Sequence, residues 1–190
     1  MPNLRKAAAY SNRYARPYTR KSKKKSKSYV KAVPGSQLTK FHMGKIHDYE
    51  LGKFPIKVIA YSIDKGVVQV RDAALEAARQ AIHRELDKPL LGNYYFSIRV
   101  APHHILRENK MLTGAGADRM QTGMSHSFGV TIGRAAMVHP GKDVFVFGFK
   151  EERALPILRK IMDQIRPKLP VHLRLEVVRE KIKKKEVVAE

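Results

Sequence analysis

Tyr10, Tyr14, Tyr18 and Tyr29 are interleaved with Arg13, Arg16, Arg20 and Lys31. Guanidinium forks grip phosphate oxygens, and tyrosine rings stack on unpaired bases or on riboses. A tail built only for charge would not need those rings. The run Arg20–Ser28 adds Lys21, Lys23, Lys24, Lys25 and Lys27. Residues 1–47 hold thirteen Lys and Arg, and the first acid is Asp48. Such a segment repels itself and lacks the apolar mass to offset its ordering entropy. It reads as an arm, 1–47, that orders on nucleic acid, RNA before DNA.

A second set of candidate residues lies in the stretch Asn109–Met124. Gly114, Gly116 and Gly123 allow positive φ and close approach of the backbone to a ligand. Arg107, Lys110 and Arg119 supply charge, and Gln121 and Thr122 supply neutral hydrogen-bonding groups. No period of 2 or 3.6 runs through it, so it reads as a long functional loop. Arg107 has a plainer reading, as a strand flank that pairs with Glu108 or the domain surface.

Other chemistries fit poorly. The glycines do not complete a dinucleotide fingerprint, and no Gly-Lys-Ser/Thr follows them as in a phosphate-binding loop. His103, His104, His126 and His139 could suggest a metal, but adjacent histidines on a strand face opposite ways. They read better as satisfied or phosphate-contacting side chains. Asp118 suits a structural role in the loop. No paired carboxylates and no nucleophile–base set emerge from the spacing. The expectation is a chain without enzymatic activity, metal or cofactor.

Composition narrows the class. The formal net charge is +21, with a pI near 10.3. That balance is a nucleic-acid footprint rather than a statement about fold. No cysteine is present, which excludes disulfides and thiolate zinc sites. No run approaches the ~20 apolar residues of a membrane span, and a cytoplasmic protein is expected.

These residues need a scaffold. Ile56–Ile63 and Val67–Val70 read as strands around an Asp64-Lys65-Gly66 turn. Asp72 can cap a helix over 73–87, with Leu75, Ala78, Ile82 and Leu86 on one face and Pro89 and Gly92 ending it. Tyr94–Ala101 is the next strand. After the loop come strands Ala135–His139 and Val144–Phe149, a helix over 151–165 and a strand over Val171–Val178. In that helix Pro156 is tolerable only because it falls in the first turn. The segment Val33–Phe41, with its Pro-Gly turn signal, should dock as an irregular stretch. Each half reads strand–strand–helix–strand. The expected class is α+β: a sheet with two long helices on one face, a basic extended N-terminal arm and a long central loop. The domain spans 48–178, and a basic tail, 179–190, follows.

The run His103–Gly129 closely resembles the signature of the L-ten-e form of the universal L-sixteen family of large-subunit ribosomal proteins. The motif stands here as Asn109–Leu112, Ala115–Arg119 and Gln121–Met124. Ala74–Arg79, Ile98–Val100, Val138-His139, Arg16–Tyr18 and Val33–Gly35 also match, so the resemblance covers about residues 16 to 178. Ser125-His126 stand where the family tends to carry Arg-Gly, with Arg134 a charge further along. The resemblance implies a ribosome-associated protein that binds large-subunit rRNA and has ribosomal proteins as neighbours. It implies a place close to the A-site tRNA and peptidyl-transferase region, where the protein positions RNA rather than catalysing. An RNA-processing enzyme or a free-standing RNA-binding protein is the alternative left by the residues alone.

Overall fold

Ile56, Val58, Ala60 and Ser62 are buried, and the residues between them are half-buried, the alternation of a strand with one face inward. The computed structural model describes residues 17–19, 30, 32–108 and 129–179. Its strands are β1 (His42–Gly44), β2 (Ile56–Ser62), β3 (Val68–Arg71), β4 (Tyr94–Ile98), β5 (His104–Glu108), β6 (Val130–Val138), β7 (Asp143–Phe149) and β8 (Leu173–Arg179). Its helices are α1 (Ile46–Glu50), α2 (Asp72–Leu90) and α3 (Ala154–Ile165), and a 3-10 turn follows at Arg166–Lys168. The class is α+β.

The strands form two sheets rather than the single one expected. Five take the order β1-β4-β7-β2-β8, and three take β3-β6-β5. β3 follows β2 in sequence but cannot pair with it, because β7 and β8 occupy both its sides. β3 pairs with β6 instead.

In the larger sheet β2 and β4 run parallel with β7 between them, while β7 and β8 run parallel with β2 between them. Two strand–helix–strand units, β2-α2-β4 and β7-α3-β8, thus interlock about the central β2–β7 pair. That is the structural content of the similar order seen in the two halves.

Both helices press on one core. Leu75, Ala78, Ile82 and Leu86 of α2, all fully buried, meet Leu158, Ile161 and Ile165 of α3 and the sheet's Phe96, Phe145, Phe147 and Phe149. Phe96 and Phe147 stack with centroids 4.9 Å apart on neighbouring strands. Pro89 lies inside α2 instead of ending it. It forfeits one i→i−4 bond, to the Glu85 carbonyl, and is tolerated because the helix ends just beyond it, where Leu91 in the left-handed region closes it through its N–H to the Asp87 carbonyl.

The far face of the sheet carries a smaller cluster, Phe54, Tyr95 and Val146 with Tyr49 against it. The Tyr49 and Tyr95 rings stack at 3.8 Å, and a side chain on Gly148 would sit 3.0 Å from Tyr49.

Candidate nucleic-acid interface

The sequence runs from the basic arm into the sheets without a break. Leu38 is 2% exposed, within the main core, and β1 pairs with β4 at the edge of the larger sheet. His42–Gly44 is too short to carry a strand signal in its sequence, yet Ile98 N–H donates to the Phe41 carbonyl and Lys45 N–H to that of Tyr94. Gly44 has φ +80°, and a Cβ there would lie 2.0 Å from the Tyr94 carbonyl oxygen. Only glycine fits.

Upstream, the arm crosses the smaller sheet. Gln37 N–H donates to the Asp72 carboxylate at 3.0 Å, and the same carboxylate accepts from Ala73 N–H at the start of α2. Arg134 Nε donates to the Pro34 carbonyl at 2.6 Å, and the Thr131 hydroxyl to the Ala32 carbonyl at 3.0 Å. Both donors stand on β6. Further back, Ile105 N–H donates to the Tyr18 carbonyl at 3.0 Å, so the chain at Tyr18 lies along β5.

Tyr18 N–H donates to Nδ1 of His104 at 2.7 Å. That bond requires Nδ1 unprotonated. His104 is buried, and burial holds its pKa below the ordinary value, helped by the nearby charges of His103 and Arg107. His103, on the opposite side of the strand, is exposed, with its Nδ1 3.0 Å from the Ala101 carbonyl oxygen. The adjacent histidines thus face opposite ways, and His104 has a protein partner.

Arg107, exposed on β5, carries its guanidinium over the Tyr18 ring, 3.7 Å from the centroid. Arg107 lies within the strand, as one of its two readings had it. The β5–β6 register shifts between Leu106 and Arg107, and the last ladder pair is Glu108 with Val130. Residues 109–129 connect that pair. Tyr18, Arg107 and Arg134 therefore converge where the arm meets the stem of the central loop. Tyr18 spends its ring on Arg107, and Arg134 spends Nε on Pro34.

Of the other sequence-predicted contacts, Arg13, Tyr14, Arg16, Arg20, Lys21, Lys23, Lys24, Lys25, Lys110, Arg119 and Gln121 lie outside the described residues. So do Gly114, Gly116 and Gly123. Thr131 and His104 as arm anchors had no signal in the sequence. Their roles depend on residues 99 and 86 positions away, respectively. Gln69 on β3 was also missed. It is buried, and neither its Oε1 nor its Nε2 has a hydrogen-bond partner among the described residues. Among the described residues no group of three or more His, Asp or Glu side chains could hold a metal ion. Among them, too, no helix is long and apolar enough to cross a membrane.

Comparison with known proteins places the geometry in context. The family model for ribosomal protein L16p/L10e matches residues 16–176. The large ribosomal subunit protein uL16 of Hyperthermus butylicus is 41% identical over 163 residues, covering 85% of this chain and 83% of that protein. Its counterpart in Caldivirga maquilingensis is 38% identical over 180 residues, 94% of this chain and 97% of that one. The uL16 of Methanosphaerula palustris is 38% identical over 174 residues, 90% and 91% of the two chains.

Proposed function

Because the chain belongs to the ribosomal protein L16p/L10e family, a family of ribosomal structural proteins rather than enzymes, we propose that it is a structural constituent of the large ribosomal subunit. In this reading it binds large-subunit rRNA through the arm and the central loop. Arg13, Arg16, Arg20 and the lysines at 21 and 23–25 neutralise phosphates. Arg107, Lys110, Arg119, Gln121 and Arg134 serve the loop's contacts, with Gly114, Gly116 and Gly123 giving its backbone close approach. The loop lies near the A-site tRNA and the peptidyl-transferase region and helps to position tRNA, with other ribosomal proteins as neighbours.

One observation carries the reading. The arm is bonded to β5 and β6, the two strands that bracket the central loop, so the two basic segments work from one platform. A polyanion bound by the arm is thereby brought to the foot of the loop.

The test removes Gly114–Thr122 and purifies large subunits carrying the trimmed protein. Normal occupancy of the subunit with defective tRNA binding is expected. Loss of occupancy would make the loop an assembly anchor. Normal tRNA binding and translation would sink the tRNA role. Arg107→Lys and Arg119→Lys should be only partly tolerated, since an ammonium cannot hold a phosphate through two parallel bonds.

A further inference from the structure

β8 is the edge strand of the larger sheet, and its outer side is unpaired among the described residues. The ladder fixes which groups point outward. Ile63 N–H bonds to the His172 carbonyl, and Ser62 N–H bonds away from β8, to the Lys142 carbonyl. By antiparallel alternation, Arg174, Glu176 and Val178 face β2, while the amides and carbonyls of Leu173, Leu175 and Val177 face outward. Val177 is 38% exposed.

Beside this edge lies a cavity of about 410 Å³ between α3 and β8. Met162, Ile165 and Leu173 contribute apolar walls, Arg159 and Arg166 stand at it from the helix side, and Asp163 is the one acid that lines it. The site thus offers a row of backbone hydrogen-bonding groups, an apolar hole and a net positive rim.

We propose that the β8 edge and this cavity dock an extended, acid-bearing segment of another protein in the same particle, added as a further strand with one apolar side chain in the cavity. Backbone pairing at an exposed edge supplies affinity, and the hole beside it supplies selection. The arginines set the sign of the partner's charge. RNA phosphates could accept from the arginines and from the strand's amides, but would leave the outward carbonyls and the apolar cavity unused. The proposal rests on the ribosomal reading for where the partner is found.

The test places a photoreactive benzoylphenylalanine at position 63, which is 53% exposed and lines the cavity, in purified large subunits. Irradiation is expected to give an adduct with a peptide of a different ribosomal protein, identified by mass spectrometry. Adding Val177→Pro removes one outward amide without touching the β2 ladder, and should cut the adduct by roughly three- to tenfold, the loss of one hydrogen bond. Val177→Thr should not. If Val177→Pro lowers the free protein's melting temperature, Arg159→Glu with Arg166→Glu decides, and should cut the adduct similarly. An adduct with rRNA alone, with a second copy of this chain or with nothing overturns the proposal, as does a protein adduct unchanged by the variants. Absence of the protein from the subunit would instead overturn the ribosomal reading along with it.

Discussion

The guanidinium of Arg107 lies 3.7 Å above the ring of Tyr18, and the backbone of Tyr18 accepts from Ile105 two residues before that arginine. An arm residue and a loop-stem residue are thereby held as one unit. A cation over an aromatic face at a partly exposed site contributes about 0.5–1 kcal/mol.

Tyr18→Ala should therefore cost the free protein about 0.5–1 kcal/mol and speed hydrogen exchange at the Ile105 amide. Tyr18→Phe keeps the ring and should match the wild type. Unchanged exchange at Ile105 in Tyr18→Ala would show that the arm does not depend on this contact.

Acid should loosen the same junction. Burial lowers the pKa of His104 in the fold from its ordinary value of 6.5. Below that value the unfolded chain takes up a proton that the folded one resists, so stability falls as pH falls. The contribution is complete above about 6.5 and is lost as pH drops through the lowered folded value. Protonation of Nδ1 also ends its bond to Tyr18 N–H. Denaturant unfolding at pH 7.5 and 5.0 should show this loss, and His104→Gln should flatten it. Equal pH dependence in the two proteins would remove His104 from the account.

Leu38 and Met43 pack in the core, so the cut that spares stability is expected near residue 30 rather than at 48. Deleting residues 1–47 removes Leu38 and Met43 from the core, two buried side chains whose burial contributes about 1.5–3 kcal/mol each. Deleting 1–29 should cost about 1–3 kcal/mol, because it removes the Tyr18 ring contact and leaves the buried Nδ1 of His104 without its donor. It should also flatten the salt dependence of RNA binding, whose log–log slope changes by about 0.7–0.9 per lost phosphate contact. A 48–190 chain as stable as the full one, or a slope untouched by the shorter deletion, would contradict this division.

Gly148 lies beneath stacked Tyr49 and Tyr95, leaving no room for a side chain. Gly148→Val should destabilise by about 1–3 kcal/mol through overpacking. The same change in a Tyr49→Ala background should cost clearly less, because the ring that it strikes is gone. Additive costs in thermal unfolding would show that the strain lies elsewhere.

The strongly basic charge, the family and most of the regular elements are legible in the residues alone. β2, α2, β7 and α3 carry strong periodic patterns, because each buries one face against a single core, and burial writes itself into local spacing. The arm's charge was equally legible, since thirteen cations without an acid need no structure to be counted. The partnering of the strands becomes visible only in the folded chain. β3 has the pattern of a hairpin mate for β2, but β2's two sides were already taken by strands more than eighty residues on. β1 is a strand only because β4 offers it backbone groups, and His-Met-Gly bears no signal of that. The contacts of Tyr18 with His104 and Arg107, and the tight space over Gly148, have the same origin. They are meetings between residues far apart in the chain, and side-chain pattern records which face is buried, not which distant residue covers it.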